Sequence, residues 1–295
     1  MTIGMITGVL EQGLIYGILA LGLLITYRIL DFPDLTVDSS FPLGAAVSAV
    51  LTLGGMQPWL TLLCSLLAGA LAGLITGLIH VKCRVRDLLS GIITMTALYS
   101  INLRIAGKAN LPLFTGDTLF KSDFTRALPE WLAPYSTLII CLVIALAVKL
   151  ILDWFLKTKA GFLLRAAGDN ASVVTTLSRD QGMVKVMGLM IANAMVALSG
   201  AVMCQQQRFF DISMGTGTMV IGLASVIIGT NLFRSMSFMK STTMVIIGSI
   251  IYKACVSIAI AMGMEASDMK LITAALFLLI LVISQAKRKK VRIHA

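Results

Sequence analysis

The chain has 295 residues, 58% of them apolar and 13% charged, with 24 Lys/Arg against 14 Asp/Glu and a net charge of +10. Soluble globular chains carry about 25% charged and about 45–50% apolar residues, so too little polar surface exists here to coat a water-soluble fold. A soluble enzyme, a disordered tail and a secreted disulfide scaffold are excluded, which leaves an integral membrane protein with lipid as its solvent.

In hydrocarbon every backbone group must be satisfied internally, so spans are helices or closed barrels. Barrel strands alternate over about 10 residues, whereas the apolar runs here are about 20 residues long, so helices are predicted. Nine segments emerge: 7–30, 39–56, 58–80, 88–105, 132–156, 184–204, 216–233, 241–262 and 269–285. The expected fold is an all-α polytopic membrane protein of about 8–10 helices. No linker separates domains, so residues 1–295 form one membrane domain.

The first segment carries Glu11, Gln12 and Tyr16 near its start. It lacks a basic flank and a small-residue cleavage site, so it is a retained span rather than a signal peptide. Glu11, Gln12 and Tyr16 suit a substrate gate, and Glu11 and Gln12 equally suit the headgroup level. Next comes Asp34-Leu-Thr36-Val-Asp38-Ser39-Ser-Phe between Pro33 and Pro42. Its counterpart is Asp211-Ile-Ser-Met-Gly-Thr-Gly-Thr. Both read Asp, aliphatic, hydroxyl, apolar, and both follow a long span. An inverted-topology repeat with broken helices along a substrate route would give this pattern, with the first copy at the inner face and the second at the outer face. Ordinary N-capping would give it too.

Gly69, Gly73 and Gly77 recur every four residues in the third segment, which close helix packing explains. Asn102 and Arg104 end the fourth. They suit a substrate carboxylate, and Arg104 equally suits lipid phosphate. Asn193 lies within the sixth segment as a helix bridge, and Gln205-Gln206-Gln207 follows as a polar run at the mouth. The 17 methionines are scattered as adaptable packing. Five cysteines without C-x-x-C spacing read as packing residues, and two histidines, His80 and His294, cannot assemble a metal cluster.

Basic residues gather in the loop Lys82–Arg86, in the loop Lys157–Lys185 and in the tail Lys287–Lys290. Placing these in the cytoplasm puts 16 Lys/Arg inside and 6 outside, with Lys149 and Lys253 within spans. The N-terminus is then outside and the C-terminus inside. The charge is topogenic, so no nucleic-acid partner is needed.

No phosphate-binding G-x-x-x-x-G-K-[ST] loop is present. Carboxylates within spans are limited to Glu11 and Asp153, thin support for ion coupling. No nucleophile–base pair stands out, so an intramembrane enzyme has little support. The loop KTKAGFLLRAAGDNASVVTTLSRDQGMVK predicts a short amphipathic helix capped by Asp169 or Asn170, continued through Ala171–Leu177 and ended by Gly182. Such a helix docks a partner or rests on lipid.

Thr158-Lys-Ala-Gly161-Phe-Leu-Leu-Arg165-Ala166-Ala-Gly168-Asp-Asn170 resembles the coupling loop of bacterial ABC-transporter permeases of the branched-chain amino-acid and ribose type, T-x-x-G-x-x-x-R-A-x-G-x-N. Asp34–Ser39 resembles the D-L-S-V-G-S segment of the sugar members, with Asp38 in place of glycine. Gly200-Ala201, then Gly222 to Gly229, resembles the family's second half. Ser100–Lys108 resembles the subgroup found beside tryptophan/tyrosine-type solute-binding proteins.

The resemblance implies a non-catalytic permease subunit of an ATP-driven importer in the bacterial cytoplasmic membrane. Two copies would pair as a homodimer. Each would dock one cytoplasmic ATPase, which holds the ATP and magnesium, through the helix near Asp169–Arg179. An extracytoplasmic binding protein would deliver an amino acid or related solute, aromatic in the subgroup. Coupling would fall to Gly161, Arg165, Gly168, Asp169, Asn170, Ser172, Thr175 and Arg179. The path would involve Glu11, Tyr16, Asp34, Thr36, Asp38, Ser39, Asn102, Gln205 and Asp211. A self-contained secondary carrier or channel is the competing reading, and a structural membrane protein the third.

Overall fold

A computed structural model describes residues 3–114, 116–121, 135–169, 180–234, 236 and 238–263, with single helical positions between 271 and 282. The first eight predicted segments become helices α1 (Ile3–Leu23), α2 (Val37–Leu53), α3 (Pro58–Lys82), α4 (Asp87–Ala106), α5 (Ser136–Phe155), α7 (Gln181–Gln207), α8 (Thr218–Leu232) and α9 (Ser241–Ala261), and the loop between α5 and α7 adds a further helix, α6 (Lys159–Asp169). Seven of the described helical stretches are long and apolar enough to cross a membrane, and the 17-residue α2 is a shorter apolar helix. Of the ninth predicted segment, positions 273–275 and 277–279 are helical, and Tyr252 Oη donates to Thr273 Oγ1 at 2.8 Å.

The helix ends follow local chemistry. Pro58 opens α3, where a missing N–H costs nothing. Gly107 closes α4 at φ 70°, a left-handed position that a side chain would strain. Asp180 caps α7 by accepting from Gly182 N at 2.8 Å. Gly182 therefore lies in the first turn of α7, and the expectation that it ends a helix is corrected. β1 (Asn110–Pro112) and β2 (Phe209–Asp211) pair antiparallel in a two-stranded ribbon. This ribbon marks one end of the bundle, and α6 marks the other.

Buried α7 is the central strut. Along α3, a Cβ on Gly69, Gly73 or Gly77 would run into Asn193, Leu189 or Val186 of α7. The glycine spacing is thus the seam of an antiparallel helix pair. On the other side α9 lies along α1, with Gly13 against Ile250 and Gly17 against Ser249. Gly44 of α2 meets Ala197, and Gly200 of α7 meets the Phe41 carbonyl. The order α1–α2–α3 is therefore echoed by α7–α8–α9, with α3 on α7 as α9 is on α1.

Two helical runs are interrupted. After α1 a π-helical turn covers Leu24–Ile29, with Leu30 N bonded to Ile25 O at 2.9 Å. The chain then runs without helix to Val37. After α7 the ribbon strand leads into a 3-10 turn at Ile212–Gly215 before α8 begins.

Candidate functional site

The two interruptions meet. Asp38, in the first turn of α2, accepts from Met219 N at 2.7 Å, Thr218 Oγ1 at 3.0 Å and Gly217 N at 3.2 Å. A carboxylate from a remote helix thus caps the N-terminus of α8, where unpaired N–H groups favour negative charge. Gly217 takes φ 86° to start α8, and a Cβ on Gly215 would strike the Asp38 carbonyl and Pro42. The Asp34 and Asp211 segments were expected at opposite faces. The correction is that the Asp34 segment climbs back into the bundle, so that Asp38 lies against residues 215–219.

Depth is set by Asn193, midway along α7. Its Nδ2 donates to Asp34 Oδ2 at 2.7 Å, and its Oδ1 accepts from Ser40 Oγ at 2.7 Å. Thr36 N donates to Asp34 Oδ1 at 2.9 Å, and Thr36 Oγ1 is 2.9 Å from Thr76 Oγ1 on α3. Asp34 is 1% exposed. Buried polar groups of this kind survive in a membrane only when paired. Ser39 Oγ donates to the Met95 carbonyl, and Asn102 Nδ2 donates to the Ser39 carbonyl at 3.0 Å. Asp34, Thr36, Asp38, Ser39 and Asn102 therefore converge on one junction of α2, α3, α4, α7 and α8.

Tyr16 stacks on Phe41 of α2, ring centroids 6.1 Å apart and 3° from parallel, so it borders the same junction. Glu11 lies nearer the ribbon end, where Gln206 Nε2 donates to its Oε2 at 3.2 Å. Gln205 is buried. It donates to Thr61 Oγ1 at 2.8 Å, Ser48 Oγ at 3.0 Å and the Pro58 carbonyl at 3.1 Å, and accepts from Leu119 N. These bonds tie α2, α3 and α7 together and leave little capacity for a solute. Asp211 accepts from Ser213 N and Oγ, each at 2.6 Å, within the ribbon-end turn.

At the opposite end the motif becomes geometry. Thr158 Oγ1 accepts from Gly161 N at 3.3 Å, capping α6. A Cβ on Gly161 would run into the Phe155 carbonyl and Leu156, and one on Gly168 into the Ile29 carbonyl. The two glycines let α6 press onto α5 and onto the π-turn of α1. Phe162, on a neighbouring face, is 60% exposed, with the Arg165 guanidinium 5.8 Å from its ring centroid. α6, capped by Thr158, runs to Asp169. The helix expected from Asp169 or Asn170 through Ala171–Leu177 lies outside the described residues. Asn170, Ser172, Thr175 and Arg179 lie outside the described residues.

Beside α6 opens a cleft of about 640 Å³ lined by Arg28, Lys157, Arg165, Lys240 and Asp153, among others. Asp153 is held by Lys149 at 3.1 Å, Lys240 at 3.0 Å and Thr242 Oγ1 at 2.6 Å. The cleft keeps a cationic excess. Asn193, a lone amide in an apolar run, bridges helices as the sequence suggests. Phe162, three residues before Arg165, carried no distinct sequence signal.

The chain is 43% identical over 269 residues to the tyrosine transport system permease protein of Clostridioides difficile (strain R20291), covering 91% of this chain and 88% of that one. It is 32% identical over 284 residues to an uncharacterized protein of Rickettsia prowazekii (strain Madrid E), covering 95% of this chain and 97% of that one. No solved structure matches it. With the family model matching residues 5–283, the chain belongs to the branched-chain amino acid transport system / permease component family.

Proposed function

We propose that this protein is the membrane-spanning subunit of an ATP-binding-cassette importer that carries an amino acid, aromatic in kind, into the cell. The likeness to a tyrosine transport system permease supports the aromatic substrate. Two copies pair, a cytoplasmic ATPase with its ATP and magnesium docks on each, and an extracytoplasmic binding protein delivers the solute. The α6 end faces the cytoplasm of the bacterial inner membrane, in keeping with Lys82, Arg84, Arg86, Lys157 and Lys240 gathered there. The N-terminus then lies outside.

The observation that carries this reading is α6 itself. A capped, glycine-seated helix holds Phe162 and Arg165 outward at the basic end, next to the π-turn that leads to the Asp34–Asn193 junction. A push on α6 is thereby transmitted to Ile29 and Leu30 and on to α2. ATPase contact reaches the junction without the permease itself binding nucleotide. Asp169, Asn170, Ser172, Thr175 and Arg179 extend the docking segment.

In reconstituted complexes, Arg165→Glu should lower uptake and substrate-stimulated ATP hydrolysis by about tenfold, the loss expected of a broken charge-assisted contact. Membrane insertion should be unchanged. Full coupling in Arg165→Glu would remove α6 as the docking element.

A further inference from the structure

Lys149 and Lys253 lie in the interiors of described spans, and only Lys149 is neutralised. Lys149 pairs with Asp153 at 3.1 Å. Lys253 on α9 is 6% exposed and has no carboxylate within salt-bridge distance and no hydrogen-bond acceptor among the described residues. Its ammonium instead sits 4.3 Å from the centroid of the Tyr16 ring, whose other neighbour in the stack is Phe41. Phe41 immediately precedes Pro42, the residue that packs on Gly215 where the two interrupted helices meet. This cation, unpaired among the described residues, stands one aromatic stack away from the junction.

A buried ammonium is costly, and an aromatic face offsets only part of that cost. Intramembrane charges of this kind mark substrate paths. In carriers with interrupted helices, a free helix N-terminus at mid-depth serves an anionic solute group. Here that site at α8 is taken by Asp38. Among the described residues, the positive charge left uncommitted near the junction is Lys253.

We propose that Lys253 is the anion-binding point inside the permease, taking the carboxylate of the amino acid in transit as it leaves the Tyr16 face. The inference rests on the reading that the chain carries amino acids. It places part of the selectivity in the membrane subunit: a solute without a carboxylate leaves the ammonium uncompensated.

The test uses the full complex of permease, ATPase and binding protein in proteoliposomes, with labelled tyrosine as the probe. Lys253→Arg should keep uptake near the wild-type rate. Lys253→Met, which retains the packing over Tyr16, should lose about tenfold or more, as for a lost hydrogen bond to a charged group. Wild-type uptake by Lys253→Met, or equal loss in Lys253→Arg and Lys253→Met, would overturn the proposal. Should Lys253→Met fail to assemble, melting of the wild-type permease–ATPase complex decides. Millimolar tyrosine should raise its melting temperature and tyramine, which lacks the carboxylate, should not. Equal effects of the two would overturn the proposal. If the wild-type complex takes up no amino acid at all, the importer reading fails instead.

Discussion

Asn193 ties α7 to the Asp34–Ser40 stretch through one amide. It donates to Asp34, accepts from Ser40 and sits on α7 where Gly69 of α3 makes its closest approach. Replacing it with alanine leaves a buried carboxylate and a buried hydroxyl short of partners. Asn193→Ala should destabilise the permease by about 1–3 kcal/mol, read as a lower melting temperature in detergent. Asp34 keeps its bonds from Thr36, so the loss should stop short of unfolding. The sequence marks Asp34 and Asn193 as polar residues in apolar surroundings. Their pairing is not legible there, because it joins positions far apart in the chain. Lys253 is similar: its charge is plain in the sequence, while its lack of a counter-ion among the described residues appears only once its neighbours are placed.

At the scale of elements, the glycine spacing of α3 was readable because it is local. Residues four apart share one helix face, and the structure sets that face on α7. Gly73→Leu should prevent close approach, since even a Cβ there would run into the Leu189 carbonyl. Overpacking of this kind costs about 1–3 kcal/mol or more. The yield of monodisperse protein should fall, whereas Gly8→Leu, which has open space around it, should express normally. Helix starts were harder to read. Asp169 and Asn170 are good caps and point to a helix after them. Thr158, eleven residues earlier and also a good cap, starts α6, a helix not anticipated from the sequence. The depth of α2 was equally hidden. The capping pattern at Asp34–Ser39 indicates a helix start but not that the chain first re-enters the bundle, a feature set by Asp38 reaching α8.

For the whole molecule, composition and charge placement carried most of the class. Few charges, long apolar runs and basic loops at one end give a polytopic helical protein, and the described spans agree. The order α1–α2–α3 recurs in α7–α8–α9 around a polar junction, with the basic α6 end on one side and the ribbon on the other. The described spans are poor in unpaired charge and offer little for an ion gradient to drive, in keeping with the proposed driving subunit docked on α6. The most direct measurement is uptake of labelled tyrosine into proteoliposomes containing this chain alone or together with its ATPase and loaded binding protein. Uptake that requires all components and ATP is the predicted result. Uptake by the chain alone, driven by an ion gradient and indifferent to ATP, would contradict the account.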